Sequence, residues 1–267
     1  MTSETITSRK NPLAQRARAV RDGREKEFVF VEGVRLCEEA LRASVVFEAV
    51  LYTRTLAGDE RGGALLERLR EVCRNTHAVS EDVLESVSDT KTPQGVVALA
   101  HRPQTNGERI VRAAGVPLVV VVHRANNPSN AGAVLRVAEA AGATGVIFTE
   151  GSTDPLSPKS LRGSMGSAFR LPLWTGPTLA EALGWCAERG IHTVATAACA
   201  PSLHTELDWT TPRAVVLGPE AGGLSEDELR AAGEAVRIPM RAPVESLNLA
   251  TALAVLLYEA ARQRRFA

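Results

Sequence analysis

The run Ile238-Pro-Met-Arg-Ala-Pro-Val-Glu-Ser-Leu-Asn-Leu-Ala-Thr-Ala-Leu-Ala-Val-Leu-Leu-Tyr-Glu259 decides how the second half of the chain is read. Pro239 and Pro243 hold the backbone extended and cannot continue a helix interior, so residues 238–244 are expected to end a strand and enter a tight loop. From Ser246 the pattern changes. Leu249, Leu253, Leu256, Leu257 and Ala260 recur at helical spacing, while Ser246 and Asn248 sit at the turn where such side chains cap free amides. Taken alone, this stretch has two readings: an ordinary capped helix, or a loop whose exposed N–H and C=O groups grip a nucleoside against the helix behind it.

Upstream of this run, Leu118-Val-Val-Val-Val122 is continuously apolar, as a strand buried on both faces should be, and so predicts a parallel sheet covered by helices. Alternation supports this: helix 131–141, strand 145–149, a helical stretch near 159–168, helix 178–189, strands 191–195 and 213–217, and helix 225–232. Two of these helices carry capping-box pairs, Thr178 with Glu181 and Ser225 with Glu228. The first hundred residues predict a smaller α/β unit, with a basic helix from Pro12, strand 27–32, a helix after Gly33, strand 47–52, helix 64–74 and strand 95–100. The polar stretch 101–107, with Pro103 and Gly107, breaks the pattern. The expected organisation is a domain over 1–105, a linker over 106–116 and a domain over 117–267.

Length and composition bound the class. A chain of 267 residues with 45% hydrophobic residues has enough apolar surface for sizeable cores. The apolar run near 249–258 is too short for a membrane span and is flanked by Asn248 and Glu259. The first ten residues carry no hydrophobic segment behind their charges, so no signal peptide and a cytoplasmic location are expected. The four cysteines, 37, 73, 186 and 199, form no C-x-x-C pair and have no histidines at ligand spacing; buried thiols are expected, with no metal and no disulfide framework. Lys plus Arg and Asp plus Glu both number 31, so no global field favours nucleic acid. A local excess does exist: Arg9, Lys10, Arg16, Arg18, Arg21, Arg24 and Lys26 stand against Asp22 and Glu25. That cluster is either a patch for RNA phosphates or a solvated helix face.

In a doubly wound sheet, ligands bind beyond the carboxyl ends of the strands, and the unusual loops lie there. In Asn126-Asn-Pro-Ser-Asn130-Ala-Gly132-Ala133-Val-Leu-Arg136, Asn130 can cap the helix, Gly132 and Ala133 permit close approach, and Arg136 is a lone charge between Leu135 and Val137. Burying such an Arg requires a partner, so it is either paired structurally or awaits a phosphate. Leu217-Gly218-Pro219-Glu220-Ala221-Gly222-Gly223-Leu224 is neither G-x-G-x-x-G nor a P-loop, which removes the dinucleotide and nucleotide-triphosphate signatures. The segment 160–169 adds small residues and Arg162, and no G-x-S-x-G elbow occurs.

Taken in order, Asn130-x-Gly132-Ala133-x-x-Arg136, then Leu217-Gly218-x-Glu220-x-x-Gly223, then Ile238-Pro239-Met240 with Ser246-Leu247-Asn248, resemble the three motifs of the SpoU (TrmH) branch of SPOUT RNA methyltransferases. The resemblance covers about 117–264. Phe30-Val-Glu32-Gly33 and Thr92-Pro93-Gln94-Gly95-Val96 make the first unit similar to the ribosomal-protein-like substrate-binding domain found ahead of many members. Within the branch, the chain resembles the ribosomal RNA methyltransferases of antibiotic resistance, those of avilamycin resistance among them.

The resemblance implies an α/β fold in which a parallel-sheet SPOUT domain with a C-terminal trefoil knot follows a small RNA-binding domain; general topology rules alone argue against a knot. It also implies S-adenosylmethionine as cofactor, RNA as partner, and a homodimer through the catalytic domain. The activity implied is methylation of a ribose 2′-hydroxyl, with 23S-type ribosomal RNA as substrate and antibiotic resistance as a further role. Transfer RNA is the alternative substrate, and a non-catalytic RNA-binding ribosome factor the alternative class. By the same resemblance, main-chain groups of Thr196, Ala197, Leu217, Gly218, Ile238, Met240 and Leu247 hold the cofactor, with Gly222 and Gly223 allowing its approach. Asn130, Arg136, Glu220, Ser246 and Asn248 form the catalytic cluster, while Arg9, Lys10, Arg16, Arg18, Arg21, Arg24 and Arg162 are expected on the RNA side.

Overall fold

The computed structural model describes residues 5–111 and 115–265, so residues 112–114 of the expected linker, and the chain's first four and last two residues, lie outside the described residues. The chain divides into two compact units, Met1–Pro103 with Leu156–Phe169, and Gln104–Pro155 with Arg170–Ala267.

The first unit contains α1 (Pro12–Arg21), β1 (Phe28–Glu32), α2 (Val34–Arg42), β2 (Phe47–Thr53), α3 (Arg54–Gly58), α4 (Glu60–Val72), β3 (Thr76–Val79), α5 (Glu81–Val87) and β4 (Val96–His101). Its sheet runs β1-β4-β2-β3, with β4 antiparallel to both neighbours and β3 parallel to β2. Alternating side chains of these strands, Phe30, Leu51 and Leu99 among them, meet Ala14, Ala17 and Val20 of α1 and Val83 and Leu84 of α5 in one core. Helix α4 starts at 60 and not at 64, because the Asp59 side chain accepts from the Gly62 N–H at 3.0 Å. Helix α5 escapes the sequence reading: seven residues are too few for a clear 3.6 period, and Ser80, whose hydroxyl accepts from the Val83 N–H, fixes its start.

In the second half follow α6 (Gly107–Val111), β5 (Leu118–Val122), α7 (Pro128–Ala140), β6 (Gly145–Phe148), α8 (Pro158–Ser164), α9 (Ser167–Arg170), β7 (Leu173–Thr175), α10 (Leu179–Glu188), β8 (His192–Thr196), β9 (Ser202–Leu203), β10 (Arg213–Leu217), α11 (Glu226–Ala231), β11 (Glu234–Arg237) and α12 (Leu249–Gln263). Among the described residues, the second unit's sheet has seven strands in the order β7-β6-β5-β10-β8-β11-β9, every pair parallel. The valines of β5 are fully buried, as their unbroken run predicts. Register aligns the strand exits: Val122 of β5 lies beside Leu217 of β10 and beside Phe148 of β6, so the chain leaves three neighbouring strands at one edge.

Several local expectations change. Helix α7 begins at Pro128 with Asn127 as its cap, the Asn127 side chain accepting from the Ser129 N–H at 2.9 Å; Asn130 is therefore inside the first turn and free for other bonds. Asn248 caps α12, accepting from the Ala250 N–H at 3.0 Å, whereas Ser246 stays in the exposed loop before it. Residues 107–111 of the expected linker form α6. Segment 156–169 groups with the first unit, its helix α8 packing on β1 and its Leu156, Leu161 and Phe169 buried. Both predicted capping boxes are present, at α10 and α11. Among the described residues no helix is long and apolar enough to cross a membrane, and no group of three or more His, Cys, Asp or Glu is placed to hold a metal ion.

Candidate functional site

Beyond the carboxyl ends of β10, β8 and β11, the loops 218–224, 196–199 and 238–248 surround a cavity of about 820 Å³. That volume lies in the range of ligand and cofactor sites. Thirteen of the residues expected in the catalytic cluster or around the cofactor line it: Asn130, Thr196, Ala197, Leu217, Gly218, Glu220, Gly222, Gly223, Ile238, Met240, Ser246, Leu247 and Asn248.

The shape of the 218–224 loop follows from its glycines. Gly222 and Gly223 adopt φ of 87° and 65°, the left-handed region that favours glycine. Gly218 is required for closeness: a Cβ there would stand 2.6 Å from the Leu224 nitrogen and 2.8 Å from the Gly223 carbonyl carbon. The loop thus folds back on its own origin, presenting main-chain groups to the cavity. Apolar walls come from Leu217, Leu224, Leu229, Val236 and Ile238. Backbone edges beside aliphatic side chains suit a flat heteroaromatic group, whose rim takes hydrogen bonds and whose faces take apolar contact. The cavity therefore fits an adenosine-bearing cofactor.

At its mouth, side chains join the first turn of α7, the 218–224 loop and the start of α12. The Asn130 amide donates from Nδ2 to Glu220 Oε1 at 2.8 Å, and Asn248 donates from Nδ2 to Asn130 Oδ1 at 3.1 Å, while Asn248 Oδ1 caps α12. Asn130 is half-buried, and Glu220 and Asn248 are exposed. Such a chain, with its outer lone pairs and N–H groups unused, can orient a polar substrate group.

Arg136 is placed differently. It is exposed on α7, is not part of the cavity wall, and makes no hydrogen bond or ion pair among the described residues. The expected choice between a structural partner and a phosphate rested on its being buried; in this chain it is not.

The arginines expected on the RNA side are largely engaged. Arg16 donates to Glu25 at 3.0 Å and Glu48 at 2.7 Å and lies 4.5 Å from the Phe28 ring centroid. Arg21 donates to Asp22 and to the Val87 and Ser88 carbonyls, where α5 ends. Arg24 pairs with Asp22, Arg9 with Asp82, and Arg18 donates to the Ser86 hydroxyl and the Arg9 carbonyl. Arg162 donates to Asp89 at 2.6 Å and stands 3.6 Å from the buried Glu32. Lys10 is exposed.

Ala198, Cys199, Leu224, Leu229, Val236, Glu245, Leu249 and Ala252 also line the cavity and were not anticipated. Most are apolar positions whose role depends on which face of an element meets the loops. Cys199 corrects the expectation of buried thiols: Cys37, Cys73 and Cys186 are buried, and burial pushes Cys37 and Cys186 up to about 12, but Cys199 is exposed.

Comparison with known proteins matches residues 117–258 to the SpoU rRNA Methylase family and residues 13–98 to the MRM3-like substrate binding domain. The chain is 35% identical to an uncharacterised tRNA/rRNA methyltransferase of Synechocystis, over 97% of this chain and 94% of the relative. It is 29% identical to the 23S rRNA (guanosine(2553)-2′-O)-methyltransferase of Bacillus subtilis, over 85% of this chain and 86% of that protein. Its structure is similar to that of the SpoU methyltransferase AviRb from Streptomyces viridochromogenes in complex with AdoMet, with a TM-score of 0.85, 29% identity, and coverage of 97% of this chain and 100% of that one.

Proposed function

The chain belongs to the SpoU rRNA methylase family, and from that premise we propose that it transfers a methyl group from S-adenosylmethionine to a ribose 2′-hydroxyl in large-subunit ribosomal RNA. The observation that carries this reading is the Asn248–Asn130–Glu220 chain at the mouth of a cavity walled by main-chain loops. When bound, the cofactor supplies an electrophilic methyl group on a sulfonium.

The residues of the chain divide the remaining work. Main-chain groups of Thr196, Ala197, Leu217, Gly218, Ile238, Met240 and Leu247 hold the adenosine, and Gly222 and Gly223 leave room for it. Asn130, Asn248, Ser246 and Glu220 orient the ribose, so that the barrier is lowered chiefly by positioning. As the new O–C bond formed, the methyl group's bond to sulfur would break with its electron pair returning to sulfur as a neutral thioether, and the 2′-oxygen would release its proton to solvent water. A guanidinium, with a pKa above about 12, is a poor base, and Arg136 instead orients the substrate phosphate and ribose.

The proposal includes a homodimer through the 117–267 domain, in which Arg136 of one copy serves the cavity of the other, and a trefoil knot at the C-terminal segment. Supporting the dimer are the exposed Arg136 on α7, the packing of α7 against α12, and the exposed Val244, Leu247 and Tyr258 on and before α12. Residues 1–105 supply RNA affinity, 106–116 link, and the protein works in the cytoplasm, where ribosomes are made and used.

Calorimetric titration with S-adenosylmethionine, followed by mapping of ribose methylation in ribosomal and transfer RNA from cells with and without the gene, tests the activity. No cofactor binding would favour a non-catalytic ribosome factor; a new 2′-O-methyl group in transfer RNA would move the substrate. Drug sensitivity of the same cells reads any resistance role. For the shared site, inactive Arg136→Ala and Asn248→Ala proteins allowed to exchange subunits are expected to regain part of the activity. Verified heterodimers as inactive as their parents would put both residues in one chain's site.

A further inference from the structure

We propose that His123 is a positioning residue that staples both ends of the 218–224 loop and thereby sets cofactor affinity; the inference rests on the reading of the cavity given above. His123 is the first residue past β5, with 2% of its surface exposed. Its backbone N–H donates to the Leu217 carbonyl at 2.8 Å, which is the loop's entrance. Its ring reaches the loop's exit: Nε2 lies 3.0 Å from Glu228 Oε1.

Glu228 connects that ring to the loop. Its other oxygen, Oε2, accepts from the Ser225 N–H at 2.8 Å, while the Ser225 hydroxyl accepts from the Glu228 N–H, closing the capping box at the start of α11. One carboxylate thus divides its oxygens between the helix cap directly after Leu224 and a buried ring on the neighbouring strand exit. The bonds to Ser225 are the main reason its pKa lies below the ordinary range; it stays an acceptor at neutral pH.

The ring is fixed on its far side as well. Nδ1 lies 2.9 Å from the Thr149 hydroxyl oxygen, and that oxygen accepts from the Arg124 N–H at 3.3 Å. Arg124 turns with φ of 50°, unusual for a residue other than glycine, and its guanidinium stands 3.7 Å from the same Glu228 oxygen. A left-handed turn and two buried polar side chains, His123 and Thr149, concentrate at this strand exit. A core seeking only stability has less costly residues to offer there. What the arrangement provides is a fixed distance between Leu217 and Ser225. Gly218 and Leu224, which touch, lie between them, and the loop they bound lines the cavity.

The test uses the full chain with His123→Ala, His123→Gln, Glu228→Ala and the double variant His123→Ala/Glu228→Ala. Two readouts are taken: amide hydrogen exchange without cofactor, and calorimetric affinity for S-adenosylmethionine. Both single alanine variants are expected to speed exchange over 218–229 selectively and to weaken cofactor binding about tenfold, as loss of a hydrogen bond to a charged group would. The double variant is expected to fall no further than the worse single one, because the two residues form one link. His123→Gln, which keeps an amide donor, is expected to recover part of the affinity. Because Glu228 lies on a partly exposed helix, its variant scores the proposal even if His123→Ala does not fold. Unchanged exchange over 218–229, or strictly additive losses in the double variant, would overturn it. If the unaltered protein bound no S-adenosylmethionine, the functional reading would fail, and exchange alone would still judge the staple.

Discussion

The arginine cluster around α1 and the loop cavity of the second unit both look functional in sequence, yet they use their polar groups in opposite ways. Around α1, Arg9, Arg16, Arg18, Arg21 and Arg24 all bond within their own unit, to carboxylates, a serine hydroxyl or main-chain carbonyls. At the cavity, the side chains of Asn130, Glu220 and Asn248 bond, among the described residues, to one another and to a helix cap, leaving hydrogen-bonding capacity outward. Charge density in sequence therefore says little about availability. A guanidinium already satisfied must break those bonds before it meets a phosphate, whereas a small amide held by one or two bonds can still act on a ligand.

The cavity side of this contrast is open to the strongest test. Gly218→Val places a side chain where the loop touches itself, and S-adenosylmethionine affinity is expected to fall about 100-fold or more. A folded Gly218→Val protein with normal affinity by calorimetry would remove the cavity from consideration. Asn130→Ala, which cuts the chain between Asn248 and Glu220, is expected to lower kcat about tenfold while leaving cofactor affinity near its original value. An equal loss in cofactor affinity, measured by the same titration, would mean that this chain shapes the pocket and does not orient the substrate.

On the arginine side the expected effect is on stability. Arg16→Ala removes bonds to Glu25 and Glu48 and a contact with Phe28, and is expected to lower unfolding free energy by about 1 kcal/mol in a denaturant titration, a modest amount because these groups are partly exposed. The salt dependence of RNA binding should change little. A slope reduced by about 0.7 would instead show that RNA displaces the ion pair and takes Arg16 for itself.

The smallest effect concerns acid. Glu259 is held down to about 2, first by its bonds from Arg262 and then by Gln263. A carboxylate whose folded value lies below its ordinary 4.5 contributes stability above the unfolded value and loses it as pH falls towards the folded one. Melting temperature is thus expected to drop between about pH 4.5 and 2, and Glu259→Gln to flatten that drop slightly, Arg262 being largely exposed. No difference between the two melting curves would assign the acid sensitivity to other carboxylates.

Much of the second unit was legible in the chain because its signals are local. The run 118–122 specifies a strand covered on both sides, Thr178 with Glu181 and Ser225 with Glu228 mark helix starts, and the glycines of 218–224 mark a loop under backbone constraint. The first unit was less legible where elements are short or set by one cap, as at α5 and at the start of α4. Asn130 and Asn127 show the limit clearly. Both are cap-forming residues three positions apart, and sequence alone does not say which one caps.

The alternation of strands and helices, the buried valine strand and the three loops where polar and glycine residues gather can be read from the chain alone, because each depends on residues near in the chain. Folding in three dimensions was needed to bond Asn130, Glu220 and Asn248 to one another, to occupy the α1 arginines while Arg136 has no partner among the described residues, and to bring His123 against Glu228. Those outcomes depend on sheet order: β5 and β10 lie side by side although ninety residues separate Asn130 from Glu220. A hydrogen bond acts over about 3 Å whatever the distance along the chain, so it is fixed by which strands become neighbours and in what register.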